Sequence, residues 1–494
     1  MSDKAFRHAT FNLTALLALA GELRGQRCTC DRTAAPKTGS MNWVIFVSFD
    51  DGLDWVFRSP RTGIHSTVSD DSASKMLLSE VATLKLLGKQ TAVPVPEVFS
   101  FSASCDNPIG IPYILMSKAT GRPLSDYEWV SVRMSGYPQR VPLLPLPDAA
   151  KIKVMRQLGG FMRHLSALRF EKIGSLFEKP DGNVLVGECL TPALVWQHRD
   201  SLTNGAVQRG PFLHEDQYLE ALTSALIAHA KELPLTPHSF FAPIPEEAEY
   251  PTWSSYTAAV ERWNDYVEVG AKIESSSNIL HFCLAGQILR QMIPRLSAVD
   301  GSYTLSHPDL HSGNIFVDAD FNVTCLIDWS SASTGPLSEL LTTPRIQTLP
   351  PQPLIIAFRQ GFDAEHLLPS DSWERASMMW YYSRLVRLVS KNDLELFKAL
   401  YSIVYKVTVD DGDITTLFNR LAADKRNQEL LKELRTDDFT TSELKEHEAS
   451  RLGYLGNKND RRAVARKLTV MAELNRHFVT SVKLWRWIEA AMQT

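Results

Sequence analysis

The sequence predicts an α+β chain of two lobes, a small β-rich lobe followed by a larger, mainly helical one. Three observations predict it. The 494 residues are many for one compact core. Residues 43–117 set β-rich runs around one strongly periodic helix. Beyond Gly121 most readable runs carry apolar residues at helical spacing, interrupted by one further β-rich hairpin. The expected organisation is an N-terminal helical extension over 1–35, a small lobe over 36–120, a large lobe with helical insertions over 121–430, and a charged stretch with closing helices over 431–494.

The elements follow in order. "FNLTALLALA" (11–20) has the length of a signal-peptide core, but charged "GELRGQRCTCDR" follows it and its spacing suits an amphipathic helix. A helical extension and a cytoplasmic location are the expectation, rather than mitochondrial or signal-directed targeting. "WVIFVSFDDGLDWVFRSP" reads as two strands joined at Asp50-Asp51-Gly52, because β-rich runs flanking Asp-Gly signal a hairpin. Arg58 falls near the end of the second strand. "DSASKMLLSEVATLKLLGK" reads as a helix with Leu77, Glu80, Leu84 and Leu87 on one face, which puts a carboxylate inside the apolar stripe.

Pro94 and Pro96 make "TAVPVPEVFSF" a connection into a short strand, and "IPYILMSKATGRPL" supplies an apolar strand ending at a Gly121 turn. A Pro-rich loop at 138–147 leads to the helical run "AAKIKVMRQLGGFMRHLSALRF", with Met155, Leu158, Met162 and Leu165 on one side and His164 as a helix-face residue. Residues 174–286 mix loops with helical stretches and show no repeat. "NIFVDADFNVTCLIDW" reads as two β-rich runs around Asp318-Ala319-Asp320, with Asp328 at the far end. "SWERASMMWYYSRLVRLVS" and "FVTSVKLWRWIEAAMQT" are helical, separated in part by a charged surface stretch; Trp380, Trp485 and Trp487 read as core or interface residues.

Composition narrows the function. A net charge of -4 with 22% charged residues argues against a cationic nucleic-acid surface. No run approaches the ~18–20 apolar residues that span a bilayer. Six scattered cysteines suit neither a disulfide framework nor a four-ligand zinc site, and Cys28-x-Cys30 has no second pair. The sequence does not fix an oligomeric state.

The chemistry concentrates in "LSHPDLHSGNIFVD" (305–318). Alone, it supports two readings: His307, Asp309 and His311 as metal ligands, or a loop carrying a catalytic carboxylate. A metal hydrolase would want further His or Cys ligands nearby, and the following run offers only Cys325. The second reading gains from order along the chain. A strand cation (Arg58), a helix carboxylate (Glu80), the Asp309–Asn314 loop and Asp328 after a hairpin follow the layout of a kinase, and Asp309 and Asn314 have the catalytic-loop spacing. Phosphoryl transfer loads charge on the moving group, so Mg2+ must bridge the nucleotide phosphates, and this hard cation prefers oxygen ligands such as Asn314 and Asp328. Asp309 would orient the acceptor hydroxyl and take its proton, with His307 bracing the loop and His311 a loop residue.

"HPDLHSGNIFVD" followed by "LIDW" resembles the aminoglycoside phosphotransferase and choline kinase-like family. "SEVATLKLL", "VPVPEVF", "NPIGIPYILMSKATGRPL" and "KIGSL" are similar to its fungal branch, over roughly residues 39–336. The resemblance implies a bilobal protein-kinase-like fold that binds ATP and Mg2+. It puts Gly39, Ser40, Met41 and Asn42 where the nucleotide-covering loop lies, and Arg58 in the place of the strand lysine. Met116, Ser117, Lys118 and Ala119 match the hinge, where main-chain groups hold adenine. Arginine departs from the family's lysine, yet its fork still pairs a carboxylate and a phosphate. Trp329 after Asp328, in place of Phe-Gly, makes the chain less like a protein kinase. The expected activity is transfer of the ATP γ-phosphate to a hydroxyl of a small molecule, with a non-turning-over nucleotide-binding scaffold or a protein kinase as alternatives.

Overall fold

The computed structural model describes residues 4–6, 8–39, 41–62, 66–129, 143–202, 205, 207–235, 275–298, 301–344, 346, 351–365, 368–369, 371–388, 393–438, 440, 442–443 and 446. Its first helix, α1 (Leu13–Arg24), begins where the Asn12 side chain accepts the Ala15 N–H and ends at Gly25 in left-handed backbone. The apolar side of α1 has an evident use. Phe11, Leu16 and Ala20 pack on Trp43, Phe57 and Tyr113, with Phe11 stacked on Phe57 at 5.6 Å.

That surface is one face of a sheet built from β1 (Cys28–Thr29), β2 (Lys37–Thr38), β3 (Asn42–Phe49) and β4 (Asp54–Pro60), then, after helix α2 (Asp70–Gln90), β5 (Val98–Ser102) and β6 (Tyr113–Ser117). The order is β1-β3-β4-β6-β5 with β2 also on β3, all antiparallel. The Asp50-Asp51-Gly52 turn closes as its sequence demands: Gly52 has φ 83°, and the Phe49 N–H reaches the Leu53 carbonyl at 2.9 Å. Strand alternation then sorts the side chains. Trp55, Phe57, Tyr113 and Leu115 face α1, whereas Ile114 and Met116 join the core under α2. Arg58 pairs with Ile114 across the strands and shares its face.

The second lobe opens with β7 (Arg122–Pro123), α3 (Asp148–Ala167), β8 (Leu176–Glu178), β9 (Val184–Val186), α4 (Pro192–Val195), α5 (Glu215–Glu232) and α6 (Ser276–Leu296). Then come β10 (Thr304–Ser306), β11 (Ile315–Val317), β12 (Val323–Leu326), β13 (Ser333–Gly335), α7 (Leu337–Leu340), α8 (Gln352–Phe362), α9 (Ser372–Arg387), α10 (Asp393–Tyr405), α11 (Asp411–Ala422) and α12 (Lys425–Leu434). The architecture is α+β in two lobes, a small sheet lobe and a mainly helical one.

A single core ties the lobes together. Leu77, Val81, Leu84 and Leu87 of α2 belong to one cluster with Met155, Leu158, Met162 and Leu165 of α3, Leu305, Ile315 and Trp329. The stripe read from sequence is therefore a joint between lobes, and each such side chain taken fully from water contributes ~1.5–3 kcal/mol. Helices α3 and α8 approach so closely that a Cβ at Gly159 would overlap the Phe358 carbonyl. A second cluster joins α5, α6, α9 and α10 and holds Trp380. The expected closing helix with Trp485 and Trp487, residues 130–142 of the region before α3, and 236–274 lie outside the described residues.

Candidate active site

The small lobe contributes a buried ion pair. Glu80, on the apolar stripe of α2, is 1% exposed and touches the Arg58 guanidinium. Its other oxygen accepts the Trp329 N–H at 3.2 Å. Burial pushes the Glu80 carboxyl above its ordinary range, and the neighbouring Arg58 charge opposes that push. Burial also works against the Arg58 charge, but Glu80 and Asp328 outweigh it and hold the guanidinium protonated. Asp328 lies 3.6 Å from Arg58, has a left-handed backbone (φ 65°), and accepts the Ser330 hydroxyl at 3.0 Å. Three of the expected site residues thus meet at one point. A cavity of about 20 Å³ beside them is lined by Met41, Asn42, Arg58, Glu80 and Ser330.

The catalytic-loop candidate lies between β10 and β11. His307 is buried against Trp329, ring centroids 4.6 Å apart, and burial lowers its pKa. The neutral ring donates from Nε2 to the Ile327 carbonyl at 2.9 Å and accepts the Asp309 N–H at Nδ1, 3.3 Å. Both nitrogens are occupied in shaping the loop. Asn314 donates from Nδ2 to the Asp309 carbonyl at 3.0 Å, which leaves the amide oxygen as the atom it can offer a ligand. Its own carbonyl accepts the Ile327 N–H at 3.0 Å, so the main chain sets Asn314 beside the residue preceding Asp328. His311 accepts the Gly313 N–H at 3.0 Å and stands 3.7 Å from Asp309. Among the described residues, no three His, Cys, Asp or Glu side chains form a group that could hold a metal, and the metal-hydrolase reading has no geometry to rest on.

Three neighbours of the candidate site residues were not singled out from sequence. Trp329, fully buried, bridges Glu80 and His307 and so couples α2 to the loop. Arg387, at the end of α9, donates to the Pro308 carbonyl at 3.0 Å and comes within 3.6 Å of Asp309. Glu339, on α7, accepts the Tyr218 hydroxyl at 2.9 Å; burial pushes its carboxyl up to about 7. The Trp329 signal was present as the neighbour of Asp328, but Arg387 is 79 residues from Pro308 and no local pattern joins them.

The remaining expectations concern the nucleotide. Gly39 and Met41 lie in the connection from β2 to β3 and Asn42 opens β3, and the Gly39 N–H bonds the Asn42 carbonyl at 2.9 Å; Ser40 lies outside the described residues. Met116 and Ser117 end β6, and Ala119 follows in the segment leading to β7. The Ser117 N–H is committed to the Glu97 carbonyl at 2.8 Å. A Cβ at Gly121 (φ 84°) would overlap the Val317 carbonyl, so only glycine lets this connection cross β11.

A bilobal fold with a buried strand-cation pair and an Asp-to-Asn loop has the layout of a kinase-like fold. The phosphotransferase enzyme family (APH) matches residues 35–339, and the chain belongs to that family. A subtelomeric hrmA-associated cluster protein of Aspergillus fumigatus is 26% identical over 340 residues, 63% of this chain and 59% of the relative, so the chain matches about three fifths of that relative's length. The altered inheritance of mitochondria protein 9 of Candida glabrata is 32% identical over 151 residues, 29% of this chain and 22% of the relative. Among solved structures, macrolide 2'-phosphotransferase MphH of Brachybacterium faecium aligns with 83% of this chain and 99% of its own at 15% identity, TM-score 0.35. The streptomycin-ATP complex of APH(2")-IIa aligns with 80% and 96% at 10% identity, TM-score 0.35.

The expected cytoplasmic location does not stand. Six relatives, from Candida glabrata to Candida tropicalis, are named as mitochondrial proteins, and the similarity to them removes the basis for that expectation. The short apolar run at 11–20 bears on a secretory signal and does not address mitochondrial proteins.

Proposed function

We propose that the protein transfers the γ-phosphoryl group of ATP to a hydroxyl of a small molecule. The observation that carries this reading is the meeting of Arg58, Glu80 and Asp328 beside a loop whose own hydrogen bonds hold Asp309 and Asn314 in place. Arg58, anchored by Glu80, positions nucleotide phosphates; Met41 and Asn42 border them, and main-chain groups near Met116–Ala119 receive the base. The Asn314 amide oxygen and the Asp328 carboxylate would hold Mg2+, and both are the hard oxygen donors it prefers. When bound, the ion neutralises phosphate charge. Asp309 aligns the acceptor hydroxyl and takes its proton, while neutral His307 fixes the loop.

Asp309→Asn keeps the shape of the side chain and removes its basicity. Nucleotide affinity in magnesium should survive, while acceptor-dependent ADP release falls by ~10²- to 10⁴-fold. His311→Ala, which removes an exposed loop contact, should cost far less. Undiminished transfer by Asp309→Asn would remove Asp309 from the mechanism and favour a different base.

The names of the six relatives also support a mitochondrial site of action for this chain. Imaging the full-length protein with a C-terminal tag against a mitochondrial marker tests this. A diffuse signal would refute it.

A further inference from the structure

Behind the loop that carries Asp309 lies a cavity of about 80 Å³, lined among others by Pro308, Tyr218, Glu339, Arg384 and Arg387. Arg387 is its unusual wall. The residue is 8% exposed, gives one N–H to the Pro308 carbonyl and stands over the Trp196 ring at 4.9 Å. Its guanidinium forms a 3.6 Å ion pair with the Asp309 carboxylate, and its Nε has no hydrogen-bond partner among the described residues. Glu339 is engaged with Tyr218 instead. A guanidinium removed from water is normally matched by a carboxylate or phosphate in a two-pronged fork, and Arg387 has a single longer ion pair with Asp309 in its place. Burial accordingly pulls the Arg387 pKa down, with Asp309 only partly restoring it.

We propose that Arg387, which lines this cavity and stands 3.6 Å from Asp309, seats the carboxylate of a small hydroxy acid whose hydroxyl lies against Asp309. The proposal rests on the reading of Asp309 as the base. Because Arg387 and Asp309 are 3.6 Å apart, one ligand whose carboxylate lies close to its hydroxyl can hydrogen-bond both. A 2- or 3-hydroxy acid meets that requirement. An ammonium group would stand against the Arg384 and Arg387 guanidinium groups, with the Glu339 carboxyl on the same wall. In the reaction the acid's hydroxyl oxygen forms the new bond to the γ-phosphorus, the bond to the ADP oxygen breaks, and the hydroxyl proton passes to Asp309. The products are ADP and the phosphorylated hydroxy acid.

The test uses the full chain with magnesium and two readouts. Thermal shift with a non-hydrolysable ATP analogue reads binding, and ADP release with ATP reads transfer. Glycerate, malate and 3-hydroxybutyrate are compared with ethanolamine, choline and kanamycin. At least one hydroxy acid should raise the melting temperature and stimulate ADP release several-fold over the basal rate. Arg387→Met should weaken that acid's binding by about 10- to 100-fold, and Arg387→Lys, which keeps the charge and loses the fork, by an intermediate factor. The lysine variant decides the matter if the methionine variant fails to fold. Hydroxy acids that bind equally well to wild type and to Arg387→Lys or a folded Arg387→Met would overturn the proposal. So would transfer to amino alcohols alone, or no response to any hydroxy acid at 10 mM, a concentration on the order of a weak Kd. Arginine-dependent binding without transfer would keep the subsite and sink the phosphotransferase reading; transfer confined to amines would do the reverse.

Discussion

Two buried arginines flank the active site, and they are satisfied differently. Arg58 touches Glu80, has Asp328 at 3.6 Å, and so lies between two carboxylates. Arg387 has a neutral carbonyl, an aromatic face and a carboxylate beyond hydrogen-bond reach. The first is a closed structural unit, for which the proposed function is to present charge to phosphates. The second keeps binding capacity in reserve at the edge of a cavity. Burial alone does not distinguish a structural cation from a recognition cation; the partner inventory does.

The sharpest way to break this comparison is to remove each side of it. Arg58→Ala leaves Glu80 buried beside nothing but the Trp329 N–H, and breaking such a pair from one side costs ~3–5 kcal/mol. Glu80→Ala should do similar damage by freeing Arg58, and the double variant should cost less than the two singles together. Arg387→Met orphans no buried carboxylate, because Asp309 keeps a quarter of its side chain in solvent. The bond lost to Pro308 is worth ~1–2 kcal/mol, and removal of a desolvated charge offsets much of it, so net stability should change by about 1 kcal/mol or less. Urea denaturation of the four variants measures these differences. Strict additivity of Arg58→Ala and Glu80→Ala, or an Arg387→Met protein as unstable as Arg58→Ala, would dissolve the distinction.

The same two residues show why parts of the molecule could be read from sequence. Arg58 lies on a strand bounded by an Asp-Gly turn, and Glu80 interrupts a leucine stripe, so each carries a local signal. The Asp309-to-Asn314 spacing and Asp328 lie within one short hairpin region, where chain distance and space coincide. The joining of α2 to α3 and the catalytic loop followed from no pattern in either segment, although the stripe that makes it was visible. Arg387 reaches the loop from a helix that reads as amphipathic, with Arg384 one turn before it and no mark to set either apart from a solvated charge. Glu339 and Tyr218 meet across 121 residues. Long-range pairing of this kind is determined by packing of whole elements, and a single sequence does not display it.

Glu339 offers a smaller and finer test, as the carboxyl that faces the recognition arginine in place of a bonded partner. Burial raises its pKa to about 7 from an ordinary 4.5, against the pull of Tyr218 and Arg387. A carboxyl raised in this way binds its proton more tightly when folded, so its contribution to stability is complete below about 4.5 and is lost as pH rises through 7. The loss is on the order of 2 kcal/mol, reduced from the full shift because the side chain is only partly shielded from solvent. Glu339→Gln keeps an acceptor for the Tyr218 hydroxyl and cannot ionise. Relative to wild type, the variant should therefore gain stability between pH 5 and pH 8 by about that amount, read from urea midpoints at the two values. The comparison of wild type with variant cancels every other titrating group. If the two proteins change in parallel across the window and diverge only below pH 5, Glu339 is ionised throughout it, and the charge of the cavity is set by the arginines and that carboxylate. That outcome would favour a zwitterionic occupant over a simple hydroxy acid, because a fixed negative wall opposite Arg387 asks for an ammonium group on the same ligand.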